Sequence, residues 1–470
     1  MRLLDLPHDV IFHILENLSA VSLARLARTC VSLRDIVYHE GWSLYILRNP
    51  RPSWSLTNAR SWWSRHYHVR YDCLTDCAWS QTLFIARPLS MPWHGKLRAL
   101  LAISPSRLVV AAGCRLSTYS FHSATDNHSP SVHSECTWYL GRQQDSRNDI
   151  TALKSVDSDP TGSTLIAGLH NGSIIRYHIT RSDDHDKSEV NLVRTFMYQQ
   201  PGRHLIESLS LDGDIFLSLS GHGHATLHSL HNPRTFLSHI NLEKQSWEGY
   251  LCLKSSSPFA LFGTSSTTPL VMHNICESEL LPEPSANLVR PACLTAGPMS
   301  NACYSIAQTV PGSPLGASPQ IVVTGWYDGF VRVYDLRAAD ARTASGPDTS
   351  RGPPNLCPVL ELYDRWLYEP IYSVSCGGGA RIAAGSARHS VVSLWDVRAP
   401  KNGWSVHAPG NDPSPVYSVV MESSRLFGVT QSRPFVFDFG PDIGSKTYPR
   451  LPQDHHEDDR SEDTMYQNWK

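Results

Sequence analysis

The feature that most narrows the fold is a repeat. After residue 95 the chain returns seven times to one plan: a short apolar run, then a strand, a tight turn and a second strand. The clearest copy is IVVTGWYDGFVRVYDLR at 321–337, where Asp328-Gly329 makes the turn and Tyr334-Asp335 closes the second strand. Residues 164–179 repeat it around Asn171-Gly172, and residues 381–398 end on Trp395-Asp396. Weaker copies occupy 107–121, 214–230, 259–275 and 425–439. The apolar runs ahead of them are LRALLAI, DITALKSV, LIESLSL, GYLCLKS, ACYSIAQ, PIYSVSC and PVYSVVM, with starts near 98, 150, 205, 250, 302, 371 and 416.

That spacing is close to the ~40–45 residues of a propeller blade plus loop insertions. A ring of four-stranded units buries each unit against its neighbours and leaves no long free sheet edge. The expected fold is therefore mainly β, a seven-bladed propeller over residues 79–442. An open β-sandwich array or a different blade number fits the same spacing. In the ring, the outer strand of the last unit comes from the N-terminal side, where residues 79–90 carry Leu83, Phe84 and Ile85. Segments near 122–147 and 338–358, the latter rich in Ala, Ser, Gly and Pro, read as disordered insertions, and 443–470 as a disordered acidic tail with Asp454, Glu457, Asp458, Asp459, Glu462 and Asp463.

The first 48 residues obey another period. LPHDVIFHILENL sets Val10, Ile11, Ile14, Leu15 and Leu18 along one helical stripe, with Pro7 in the first turn and Asp9 where the helix dipole favours negative charge. Ser19 reads as the N-cap of a second helix with Leu23, Leu26, Ala27 and Cys30 on its stripe, and a third begins near Ser32. A unit this small leaves much of its apolar surface wet, so its stripes call for a partner or for the next domain. Residues 49–78 read as a helical linker, with Trp54, Trp62 and Trp63 packing on the β-rich domain.

Leu6-Pro7, Val10-Ile11, Ile14-Leu15, Leu18, Leu23, Leu26 and Cys30 together resemble the F-box motif along its length, with Leu33 standing where many members carry tryptophan. With the repeats, the chain resembles the F-box/WD-repeat family: a small all-α F-box module ahead of a WD-type propeller. The resemblance implies a substrate receptor of a Skp–cullin–F-box (SCF) ubiquitin ligase. Leu6, Pro7, Val10, Ile11, Ile14, Leu15, Leu18, Leu23 and Leu26 would dock the Skp adaptor and, through it, a cullin scaffold, while the propeller would hold an unknown protein substrate. In WD propellers the residue just before the turn lies on the rim that meets peptides. His170, Tyr327 and Arg388 occupy that position here.

Lys plus Arg (41) nearly balances Asp plus Glu (43), which argues against a broad surface for nucleic acid or anionic membrane. The 11 cysteines are scattered, with Cys73 and Cys77 the only close pair, so neither a disulfide framework nor a zinc spacing is suggested. Charged residues interrupt the N-terminal apolar stretch, and no apolar run reaches the ~18 residues of a membrane span, so a cytosolic or nuclear protein is expected. The nucleophile elbow, P-loop and HExxH motifs are absent, and neither catalytic residue, metal nor cofactor is expected. His222, His224, His228 and His231 sit in one weak repeat where alternate residues face opposite sides, which disfavours a shared metal. Asn171, Asp328 and His389 fit a turn role. A scaffold using the motif outside a ligase, and a propeller enzyme, remain as alternatives.

Overall fold

The structure, a computed structural model, describes residues 5–122, 129–141, 145–156, 158–159, 161–181, 189–291, 300–309, 318–338, 352–410 and 413–452. The N-terminal helices are α1 (His8–Glu16), α2 (Ala20–Leu26), α3 (Val31–Ile36) and α4 (Trp42–Arg48), with a π-helical turn at Val37–Gly41 joining the last two. Pro7 ends the extended lead into α1, and Ser19 accepts the Ser22 N–H at the start of α2, as a capping serine does. Helix α4 was not expected from the sequence.

The helices do not close a core by themselves. Ile11, Leu15, Leu23, Val37 and Trp42 bury against Val69, which belongs to α6 (Arg65–Ser80), the helix after α5 (Thr57–Trp62). Part of the apolar stripe is thus covered from within the chain, which answers the shortage of buried surface expected of a short helical unit.

The remainder is a β-propeller. Five antiparallel four-stranded sheets span Ala99–Tyr139, Ile150–Tyr198, Ile206–Asn241, Ile371–His407 and Val416–Asp438, the last completed by Ile85–Pro88. Ile85 lies opposite Asp438 and Pro88 opposite Phe435, so the N-terminal strand closes the ring as the free edge requires. A ten-stranded sheet lies between Ser246 and Tyr363. The innermost strands, Ala99–Ile103, Ile150–Ser155, Ile206–Asp212, Ser246–Cys252, Asn301–Gln308, Ile371–Gly377 and Val416–Met421, each touch the next, and the last touches the first. The Asn171-Gly172 and Asp328-Gly329 turns place Gly172 at φ +84° and Gly329 at φ +82°, a conformation in which a Cβ is strained.

Three sequence expectations change. The segment near 122–147 contains the outer strand Ser131–Tyr139, paired along its length with Arg115–His122. Within 338–358, Asn355–Leu356 pairs in parallel with Asn287–Leu288, while 339–351 lie outside the described residues. At the C-terminal end, Thr447 accepts the Val132 N–H, and Tyr448 is buried with its hydroxyl donated to Asp438. Residues 443–452 are therefore part of the domain, and the acidic run beyond lies outside the described residues. Alternating polarity could not find these contacts, since each depends on a partner brought close by the fold rather than on local period.

Candidate protein-binding surfaces

The inner strands enter the central channel at one end of the ring. On six of them the residue at that entrance is a bulge, where the pairing register slips by one: Thr151, Glu207, Trp247, Tyr304, Tyr372 and Tyr417. A bulge bends its strand and re-aims a side chain. Here the repeated slip turns Glu207 and four aromatic rings toward one opening, with Arg98, just ahead of the first inner strand, completing the rim of a cavity of about 180 Å³.

The opening has two halves. Trp247 meets Tyr304 edge-on at 5.1 Å between ring centroids, Tyr304 meets Tyr372 edge-on at 5.3 Å, and Tyr372 stacks on Tyr417 at 5.8 Å. Opposite them the Arg98 guanidinium donates to the Glu207 carboxylate. Deeper in the channel Glu248 accepts from Ser208 at 3.0 Å, and burial pushes its carboxyl up to about 7, against the pull of Lys154.

The three rim candidates scatter around this entrance. Tyr327 is exposed and its ring lies 6.2 Å from that of Tyr304, so it extends the aromatic surface outward. Arg388 is exposed and 3.7 Å from Glu369. His170 is exposed in its turn, and no contact brings it to the aromatic half among the described residues. Asn171 accepts the Ser173 N–H, a local turn bond. Asp328 accepts from Arg332 at 2.9 Å and Asn301 at 3.0 Å, holding a turn in place. His389, at φ +64°, gives its carbonyl to the His407 ring.

At the other end of the molecule the predicted docking stripe divides. Ile11, Leu15 and Leu23 are buried in the helical core, so they hold the helices together and offer no surface to a partner. Pro7 and Val10 are exposed, Ile14 is half-buried, and Leu6, Leu18 and Leu26 are half-buried and pack on the core's edge. Val21 and Val31, outside the predicted set, are also exposed. Exposed apolar residues of this kind on a small module are candidates for a contact site.

Residues 3–41 match the F-box domain. No curated protein matches the chain. The protein thus joins an N-terminal helical F-box region to a β-propeller.

The joint between the F-box and the propeller is polar, buried and made by α5 and α6. These helices sit on the turns at the far ends of the inner strands, away from the aromatic opening. The Ser55 N–H donates to Glu422 at 3.0 Å, and the Ser55 hydroxyl donates to the same carboxylate. Burial pushes the Glu422 carboxyl up, and these bonds partly offset it. Asn58 donates to the Pro105 carbonyl, and Arg60 bridges Asp72 at 2.8 Å and Ser423 at 3.1 Å. Asp76 receives Arg51 at 2.5 Å and Arg381 at 3.0 Å. The Tyr71 hydroxyl donates to Ser424 at 3.0 Å, with burial pushing it up to about 12.

Helix α6 links the two cores directly. Val69 packs among the F-box helices, while Trp79 stacks on Phe439 with centroids 3.4 Å apart and lies beneath the Arg381 guanidinium. One rigid helix therefore spans both. Next to it Arg425 and Asp438, both fully buried, pair at 3.1 Å, and Arg425 also donates to the Pro130 carbonyl at 2.5 Å.

The histidine-rich repeat does not form the imagined set. His228 is buried against Phe216, and burial drives its imidazole down to about 3, while His231 lies beside Asp214. His224 instead stacks on His204 and meets His239 at 3.3 Å. Among the described residues no group of three or more His, Cys, Asp or Glu side chains has the geometry to hold a metal. Among them, too, no helix is long and apolar enough to cross a membrane.

The aromatic opening was not among the sequence expectations, although a signal for it is present. Three successive inner runs, ACYSIAQ, PIYSVSC and PVYSVVM, each carry tyrosine before serine at one register position. A tyrosine kept at the mouth of consecutive repeats is poorly explained by strand alternation alone. Trp247 and Glu207 share that position in less similar runs and give no comparable signal.

Proposed function

We propose that the chain is the substrate-recognition subunit of an SCF-type ubiquitin ligase. The F-box would bind the Skp adaptor and through it a cullin, and the propeller would hold a protein for ubiquitination and proteasomal degradation. The observation that carries this reading is the F-box match over residues 3–41 with Pro7 and Val10 exposed, rigidly joined to a propeller whose open mouth faces away from the joint. The chain does no covalent chemistry in this reading. It raises the effective concentration of a substrate lysine at the charged conjugating enzyme. The work takes place in the cytosol or nucleus.

The propeller in this reading has seven blades of WD type. The closed circuit of inner strands supports that number. So does the ten-stranded sheet, in which the strand pair Phe259–Ser266 and Asn301–Gln308 meets only at its tip, Ser265 with Ala302 and Ser266 with Asn301. In this reading the chain resembles dactylin among the F-box/WD-repeat proteins, a resemblance carried by the F-box, Val69-Arg70-Tyr71-Asp72, Met91-Pro92-Trp93, the Tyr327-Asp328-Gly329 unit and the last two units.

Co-purification with a Skp–cullin core tests the proposal. The full chain is expected to bind it, and Leu6→Ala with Pro7→Ala to weaken that binding. Binding that survives both changes, or fails for the natural chain, leaves instead a scaffold that uses the F-box outside a ligase.

A further inference from the structure

The aromatic surface does not stop at the channel mouth. From Tyr417, Tyr372 and Tyr304 it continues through Tyr327, whose turn at Gly329 packs against the backbone of Tyr368 and Glu369. Tyr327 is itself 58% exposed, a large share for a ring of this size. The result is a file of aromatic rings running from the channel mouth out to Tyr327.

At the mouth and around the Tyr327 turn, four guanidiniums already face carboxylates. Arg98 is paired with Glu207, Arg388 lies near Glu369, and Arg290 and Arg332 both reach Asp328. A phosphate would have to pull a guanidinium away from a carboxylate it already holds, and a basic segment would have to displace the guanidinium itself. The hydroxyls of Tyr304, Tyr372 and Tyr417 have no hydrogen-bond partner among the described residues, so the aromatic half still offers polar groups to a backbone. A cavity of about 180 Å³ takes one large side chain and is too narrow for a helix ~10 Å across.

We propose that this file binds an extended, uncharged and unphosphorylated segment of the partner protein. One apolar or proline side chain would enter the mouth, and the segment would run outward over Tyr327. Aromatic-lined grooves suit such segments, because an extended chain rich in proline lays its rings on aromatic faces and loses little entropy on binding. The proposal rests on the receptor reading and names the class of segment the receptor takes.

The test is selection of short random peptides, offered both unmodified and with a central phosphoserine, on the purified full chain bound to its adaptor. Enrichment of unmodified apolar or proline-containing peptides is expected, with roughly tenfold weaker binding for Tyr372→Ala and for Tyr327→Ala. Tyr327 is exposed enough that its loss cannot unfold the domain, which guards against a folding artefact at Tyr372. Enrichment of phosphopeptides lost on Arg98→Ala, enrichment of basic peptides, or no enrichment at all would overturn the proposal. Adaptor binding is measured separately, so failure here leaves the ligase reading standing, and failure there leaves the peptide selection interpretable.

Discussion

Val10 and Leu15 lie five residues apart on one helix, and the structure gives them opposite tasks. Full burial of a valine side chain stabilises by about 1.5–3 kcal/mol. Val10 keeps 43% of its surface exposed in the chain alone, so covering that part on docking contributes about 0.6–1.3 kcal/mol. Val10→Ala should then weaken adaptor binding roughly three- to tenfold. Val10→Asp goes further, because a carboxylate pressed against an apolar partner loses its hydration, and a loss of about a hundredfold or more is expected. Neither change should move the melting temperature much, since a surface substitution shifts stability by only about 0.5 kcal/mol. Leu15, 1% exposed in the helical core, behaves in the other way: Leu15→Ala should cost about 2–5 kcal/mol of F-box stability and impair docking only by unfolding the module. Calorimetric titration with the adaptor, paired with thermal denaturation of each variant, separates the two cases. The division of the stripe into core and contact is refuted if Val10→Asp binds with undiminished affinity, or if its loss of binding tracks a loss of folding.

Three further outcomes concern the propeller. Asp438→Ala strands the buried Arg425 guanidinium and should destabilise the closing sheet by about 3–5 kcal/mol in denaturant titrations, with Asp438→Asn milder. Trp79→Ala removes a ring stacked between Phe439 and Arg381. It should cost about 3–5 kcal/mol and widen the distribution of distances between labels on the F-box and propeller in pulsed electron resonance. Glu248 binds its proton more tightly in the fold than in the unfolded chain. Stability should therefore fall as pH rises from about 4.5 through about 7, and Glu248→Gln should flatten that slope in melting measurements.

Local chemistry makes much of the architecture readable. The stripe from Ile11 to Leu23 announces helices because apolar residues recur at the helical period, and Ser19 marks where one begins. Asn171-Gly172 and Asp328-Gly329 announce hairpins because glycine tolerates the backbone those turns need. The free edge of the final unit points back to Ile85 because unpaired backbone groups require a partner. Helix α4 is harder to read, because Pro50 and Pro52 just beyond it favour a linker and draw attention from its Trp42, Tyr45 and Ile46 stripe. Similarly, residues 443–452 look like the start of a polar tail, and Tyr448 gives no local hint of its bond to Asp438.

What the sequence determined by itself was therefore a set of elements and their kinds, since helix period, strand alternation and turn chemistry act over a few neighbouring residues. The tertiary structure decided which apolar residues face inward: Ile11, Leu15 and Leu23 became core and Pro7 and Val10 became surface only when Val69 of a distant helix arrived to pack against them. It also built the candidate binding mouth. Trp247, Tyr304, Tyr372 and Tyr417 lie far apart along the chain, and a one-residue bulge repeated on neighbouring strands turns them into a single aromatic surface. Ring closure brings those bulges together, and closure is a property of the whole chain rather than of any stretch of it.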